Sequence, residues 1–181
     1  MASVLRKLLA CHNHTGGWRR HFMRRLLATP LEEFAQAELE LSKPAQELAE
    51  RQIAVLEALG IHALDCWHFP HWLVETPEPP ALVFVRGALE CLWLRGWGVV
   101  GSRKASLAGC AWAAQFAQRQ ALKGEMIVSG GAYGIDGAAH QGALSAAGKT
   151  VVWLGVATDR IYPRGHKTLF ASILAAGGAL V

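Results

Sequence analysis

Two glycine-rich turns, each placed between a short apolar run and a helix-like segment, limit most strongly what this chain can fold into. The run Trp97-Gly98-Val99-Val100 leads into Gly101-Ser102-Arg103-Lys104, and the run Met126-Ile127-Val128 leads into Ser129-Gly130-Gly131-Ala132-Tyr133-Gly134. Short buried strands that alternate with helices are typical of a parallel sheet covered by helices on both faces. The sequence therefore predicts an α/β domain with a Rossmann-like architecture.

The segments around the two turns continue the alternation. The predicted elements are helices from Ser106 to about Leu122 and from Asp136 to about Ala147, a strand Thr150–Leu154, a helix through Leu169, Ile173 and Leu174, and a strand starting at Ala179. On the first helix, we expect the packed face to hold Leu107, Cys110, Ala114 and Phe116. Because the chain stops inside the last strand, we expect a core that is incomplete at its C-terminal end, as in a fragment of a longer protein.

The first 60 residues show the 3.6-residue spacing of helices. Apolar positions recur at Phe22, Leu26 and Leu27, and Thr29-Pro30 followed by two glutamates marks a helix start, since proline fits a first helical turn. We expect a helical module, SAM-like or similar, over residues 1–60 and the Rossmann-like core over residues 61–181.

Charge and hydropathy narrow the class of protein. Residues 97–181 carry eight Lys and Arg against three Asp and Glu, an excess of five positive charges (8 − 3) around the glycine turns. The mean hydropathy is +0.21, yet the longest charge-free stretches have 14 residues, fewer than the roughly 20 that a spanning helix needs. With no secretory signal pattern and no CxxC pair, we expect a cytoplasmic protein that does not enter the membrane.

The two turns are suited to holding an anion. Ligands of parallel α/β sheets collect beyond the carboxyl ends of the strands, where backbone N–H groups and helix dipoles point at them. Gly101 and Gly130-Gly131 allow close approach, Ser102 offers a hydroxyl, and Arg103 offers a fork that matches phosphate oxygens. Tight turns also use glycine for purely structural reasons, and both interpretations stay open at this point.

Several better-known sites do not fit the pattern. There is no G-x-G-x-x-G after the first strand and no G-x-x-x-x-G-K-[ST] before a helix, which argues against a dinucleotide site and a P-loop. The Cys and His residues show no paired zinc-ligand spacing. We therefore predict no cofactor and no metal site.

Asp136 and His140 are four residues apart and so share a helix face behind the second turn. With Ser129 they could form a hydrolytic triad, but Ser129 lacks the G-x-S-x-G context. A carboxylate at a helix start is also a natural cap for its own backbone, and His140 is then expected to hydrogen-bond the glycine loop. We favour the structural interpretation and predict no catalytic residues.

A further group of cations follows the third strand. Arg164 and Lys167 lie close in sequence to Tyr162, whose ring is expected either to stack on a base or to pack inside. Lys149 precedes the third strand, so the strand register places it at the opposite end from the turns.

The motifs resemble those of the DNA-processing protein A family (DprA/Smf). The matching strings are Pro79-Pro80-Ala81-Leu82, Val85-Arg86-Gly87, Val99 through Arg103, Val128 through His140, Gly148-Lys149-Thr150, and Asp159 through Tyr162-Pro163. One departure is His166, where the family usually has Asn.

The resemblance implies binding of single-stranded DNA during natural transformation and DNA recombination, protection of incoming strands, dimerisation, and loading of RecA recombinase, without catalytic turnover. It implies DNA contacts by Gly101, Ser102, Arg103, Ser129, Gly130, Gly131 and Lys149, with Gly134, Asp136 and His140 shaping the pocket. From the residues themselves, we also expect Arg164 and Lys167 to contact DNA and Tyr162 to help shape the pocket. The alternative is a Rossmann-like phosphoribohydrolase, whose Pro-Gly-Gly-x-Gly-Thr turn and following Glu this chain lacks.

Overall fold

The computed structural model describes residues 2–15 and 20–181. Its helices are α1 Ala2–Thr15, α2 Arg20–Ala28, α3 Leu31–Gln36, α4 Lys43–Ala58, α5 His71–Val74, α6 Leu107–Ala121, α7 Ile135–Ser145 and α8 Lys167–Ala175. Its strands are β1 Ile61–Asp65, β2 Leu82–Gly87, β3 Gly96–Gly98, β4 Met126–Ser129, β5 Thr150–Val152 and β6 Ala179–Leu180. Short 3₁₀ helices span Cys66–His68, Leu89–Trp93 and Arg164–His166.

The chain divides into two compact units, residues 1–83 and 84–181. The division falls inside β2, and the predicted domain boundary after residue 60 stays a prediction. None of the helices in the described ranges is long and apolar enough to cross a membrane.

The first unit is built mainly from helices. The predicted helix start is confirmed, because Pro30 precedes the first residue of α3 and Glu32 and Glu33 occupy its first turn. Small residues make the buried face of α4, where Ala45 and Ala49 are buried. Leu26 of α2 is buried as well, whereas the side chain of Phe22 lies outside the described residues. Strand β1 runs beside the start of β2, and the Cys66 N–H donates to the Ala81 carbonyl at 3.0 Å.

The second unit contains the sheet that carries the glycine turns. Its strand order is β2-β6-β5-β4-β3, and the pairs β3–β4, β4–β5 and β5–β6 are parallel. The sheet is not parallel throughout, because β2 pairs with β6 in antiparallel register, with Arg86 opposite Leu180. The predicted α/β architecture, a Rossmann-like sheet flanked by helices and preceded by a helical segment, is confirmed.

The packed face of α6 differs from the predicted one. Of the four predicted residues, Phe116 packs against the core, whereas Leu107 is 92% exposed. The fully buried residues of the helix are the small Ala113 and Ala117, with Ala121 at its end. Small side chains let α6 lie very close to α7: a Cβ placed on Gly142 would come within 2.1 Å of the Ala114 carbonyl oxygen. The close helix approach therefore selects alanine and glycine over larger apolar residues.

Candidate nucleic-acid interface

The two glycine turns lie side by side at the carboxyl edge of the sheet. Strands β3 and β4 are parallel neighbours, with Gly98 opposite Val128, so the loops that follow them leave the same edge. In the first loop the Lys104 N–H donates to the Ser102 hydroxyl at 3.1 Å, and the Ser106 hydroxyl then caps α6 by accepting from the Gly109 N–H. Gly101, Ser102, Arg103 and Lys104 are all exposed.

Asp136 joins the two loops. The N–H of Gly101 donates to one oxygen of its carboxylate and the N–H of Ala132 to the other, each at 3.3 Å. Asp136 is buried. The N-cap residue of α7 is Gly134, and the helix start has no hydrogen bond from a capping side chain. The prediction that Asp136 caps its own helix is therefore wrong, because its carboxylate accepts hydrogen bonds from both loops instead.

Gly134 brings the loops into direct contact. Its φ of +77° is a conformation that other residues rarely adopt, and a Cβ there would lie 2.2 Å from the Ser102 carbonyl oxygen. The same carbonyl accepts a hydrogen bond from the Ile135 N–H at 3.3 Å. The backbone of the second loop is thus seated against that of the first.

Ser129 and His140 are engaged inside the fold. The Ser129 hydroxyl donates to the Val99 carbonyl at 2.6 Å, which links the ends of two neighbouring strands. His140 is fully buried, and its Nδ1 lies 2.7 Å from the Thr150 hydroxyl oxygen. Since the Thr150 hydroxyl donates its proton to the Ile127 carbonyl, its oxygen accepts from the Nδ1–H of His140.

The His140 environment favours a neutral ring. Burial, with a smaller effect from His166, lowers the pKa of His140 to about 4. The expectation that His140 bonds the glycine loop is wrong, because its partner is the first residue of β5. Ser129, Asp136 and His140 each have a different partner, so this geometry does not assemble the triad that their spacing allowed.

A third loop completes the edge. It follows β5 and ends in the 3₁₀ helix Arg164–His166, where the Nδ1–H of His166 donates to the Gly131 carbonyl at 2.9 Å. The side chains of Arg164 and Lys167 are exposed, and Tyr162 is 60% exposed. His166, at the position where the family usually has Asn, thus links the third loop to the second through this hydrogen bond.

Lys149 lies away from these loops. It directly precedes β5 at the amino edge of the sheet, roughly 10 Å from the carboxyl end of that three-residue strand. Its Nζ is 3.6 Å from a carboxylate oxygen of Glu90. The structure therefore does not place Lys149 in a common pocket with the glycine loops, in agreement with the strand register and against the position that the resemblance implied.

Sequence reasoning missed Tyr133 and Thr150. Tyr133 lies in the second glycine loop, is 49% exposed, and contacts the ring of His166 edge to face, with ring centroids 4.8 Å apart. A large ring inside a glycine-rich loop is itself a signal that was available from the sequence. The role of Thr150 depends on a contact across the sheet, for which the sequence offers no signal.

Comparison with known proteins places these features in a family. The family model described as DNA recombination-mediator protein A matches residues 61–181. The chain is 39% identical over 148 residues to protein Smf of Escherichia coli K12, covering 81% of this chain and 39% of that protein. It is 41% identical over 106 residues to DNA processing protein DprA of Streptococcus pneumoniae, covering 58% of this chain and 36% of that protein.

Solved structures show the same relationship. The X-ray structure of DprA from Streptococcus pneumoniae superposes with a TM-score of 0.62 at 25% identity, covering 98% of this chain and 61% of that one. DNA processing protein A from Helicobacter pylori, described for its single-stranded DNA binding mode, shares the fold with a TM-score of 0.59 at 24% identity, over 66% of this chain and 54% of that one. The chain spans well under half the length of the two curated relatives above. The chain belongs to the DNA recombination-mediator protein A family, the family of the DprA and Smf proteins.

Proposed function

We propose that this chain binds single-stranded DNA at the carboxyl edge of its sheet and does so without chemical turnover. The observation that carries the proposal is the joining of the two glycine loops by Asp136, beside the exposed cation Arg103. Loops fixed in this way hold their remaining backbone N–H groups and the Arg103 guanidinium at one edge of the sheet before an anion arrives. The phosphodiester backbone is the repeated anion that such an edge suits.

The second set of cations supports a polymer as the ligand. Arg164 and Lys167 lie in the third loop and at the start of α8, which His166 connects to the second glycine loop. Cations on two separate loops match consecutive phosphates of a strand better than the single phosphate of a mononucleotide. Family membership supports the same ligand, since the Helicobacter pylori relative binds single-stranded DNA.

The internal hydrogen bonds support a binding role over catalysis. A hydrolytic mechanism needs a nucleophile in contact with a base, and the Ser129 hydroxyl donates instead to a backbone carbonyl. His140 is fully buried, which leaves its ring without access to a substrate.

Fluorescence anisotropy with a labelled oligothymidine tests the proposal. We expect Arg103→Ala to weaken binding by roughly tenfold, about the 1.4 kcal/mol of one charge-assisted phosphate contact. Arg119→Ala is the matched control, because Arg119 is exposed in the last turn of α6, at the end of that helix remote from the loops. Equal affinity of Arg103→Ala and wild type would remove the basis of the proposal, as would release of free base from nucleoside monophosphates by the wild-type chain.

The roles that the resemblance implies for whole family members are part of the same proposal. They are protection of incoming DNA in transformation, dimerisation and loading of RecA recombinase in the cytoplasm. Sedimentation of the chain with and without oligothymidine tests the dimer. Strand-exchange assays with RecA on DNA coated by a single-strand binding protein test loading, and no acceleration by this chain would show that loading is not a property of these 181 residues.

A further inference from the structure

Tyr133 lies where the three loops of the candidate interface meet. It immediately precedes Gly134, whose backbone is seated against Ser102 of the first loop. Its ring lies over the third loop, because a Cβ on Gly165 would come within 2.6 Å of the Tyr133 hydroxyl oxygen. Nearly half of the residue is nonetheless exposed, at 49%. A large, half-exposed ring therefore lies between the cation of the first loop and those that follow β5.

The ring is supported from beneath. It contacts the His166 ring edge to face at an interplanar angle of 75°, and His166 in turn contacts Phe170, with centroids 6.0 Å apart. Phe170 is buried in the core cluster around Val152, and His166 is held by its hydrogen bond to the Gly131 carbonyl. The series Tyr133, His166, Phe170 connects an exposed ring to the core, so little rotamer freedom remains to be lost when a ligand contacts it.

We infer that Tyr133 is the platform on which a nucleobase of the bound strand stacks, an inference that rests on the proposed function. Phosphates held by Arg103 on one side and by Arg164 and Lys167 on the other would carry their bases past this ring. Every base has a π-face, so stacking of this kind adds affinity with little sequence preference. The cations of the loops then attract the phosphates of the DNA, and Tyr133 supplies the part of the affinity that depends on the bases.

Binding to two oligonucleotides of equal length tests the inference, one of thymidines and one of abasic nucleotides with the same phosphates. We expect Tyr133→Ala to weaken thymidine binding by about 5- to 150-fold, the range for one base stacked on an aromatic ring, and to leave abasic binding unchanged. Tyr133→Phe keeps the ring and is expected to bind both as wild type does. Trp112→Ala removes another exposed aromatic residue, 61% exposed on α6, and is the matched control with no expected change.

A second substitution guards against loss of the loop structure. Tyr133→Leu keeps apolar packing against His166 but has no π-face, and it is expected to behave like Tyr133→Ala in binding while unfolding at the wild-type temperature. Unchanged thymidine binding by both variants would overturn the inference, as would an equal loss for both oligonucleotides. If the wild-type chain binds neither oligonucleotide, the proposed function fails as well; if it binds both and Tyr133 variants match it, only the stacking platform fails.

Discussion

Replacing Asp136 with Asn separates two explanations of DNA affinity at the glycine loops. The carboxylate is buried beside the proposed anion site, so a model based on charge alone predicts that removing it strengthens binding to phosphate. The structure predicts the reverse, because the same carboxylate holds Gly101 and Ala132 through their N–H groups. The direction of the change in affinity therefore distinguishes positioning from simple electrostatics.

The expected loss of stability follows from the contacts. Asn keeps one carbonyl oxygen, so one of the two N–H groups loses its acceptor and faces an NH₂ group instead. Gly101 is exposed and its N–H can turn to water, which limits the penalty to about the 1.5–3 kcal/mol of one hydrogen bond to a charged group. With one of the two hydrogen bonds from Asp136 to the loops lost, the loops are positioned less firmly, and we expect DNA affinity to fall by roughly tenfold, which corresponds to about 1.4 kcal/mol.

Urea unfolding and anisotropy titration measure the two quantities on the same preparations. Asp159→Asn is the control for net charge, because Asp159 is exposed in the loop after β5. We expect this control to unfold as wild type and to bind DNA at least as tightly. The positioning role would be refuted by an Asp136→Asn variant that binds DNA as tightly as wild type or more tightly and whose free energy of unfolding lies within about 0.5 kcal/mol of the wild-type value. That difference is the ordinary range of a neutral surface substitution.

Two further predictions concern pH and the far edge of the sheet. Stability is expected to fall as pH drops from 6.5 towards 4, because unfolded His140 takes up a proton near its ordinary pKa of 6.5 while the buried ring, with a pKa of about 4, does not. The loss reaches roughly 3 kcal/mol in total. Urea unfolding measured at several pH values should show that the free energy of unfolding falls less steeply with decreasing pH in His140→Gln than in wild type; an equal fall in both would contradict the burial argument. Lys167→Ala is expected to weaken binding to oligothymidine more than Lys149→Ala, because Lys149 lies at the amino edge beside Glu90. The opposite order in anisotropy titrations would indicate that the DNA binds at the amino edge of the sheet.

Much of the fold follows from local sequence patterns. The segments Met126–Ser129 and Ile135–Ser145 show strand and helix spacing separated by an unmistakable turn, so local rules suffice to predict them. The packed face of α6 was predictable only in part by the same rules: Phe116 packs against the core as predicted, but hydrophobicity also favours Leu107, whereas the close approach of α7 selects Ala113 and Ala117. The antiparallel pairing of β2 with β6 joins segments more than 90 residues apart and has no local signature.

The candidate site shows the same division. The position of the glycine loops and of Arg103 at one edge follows from the alternation of strands and helices. The partners of Asp136, Ser129 and His140 do not, because each side chain bonds to a neighbouring strand or loop that only the assembled sheet brings into contact. For Lys149, the strand register predicted the observed edge, and the DNA contact that the motif resemblance implies stays a prediction.

The salt dependence of oligothymidine binding by the wild-type chain tests the central claim most directly. If Arg103, Arg164 and Lys167 each neutralise one phosphate, the logarithm of the association constant should fall linearly with the logarithm of salt concentration, with a slope of about −2. Substituting one of the three should reduce that slope by about 0.7. Binding that is absent at low salt, or present with a slope near zero, would contradict a DNA-phosphate interface at the glycine loops.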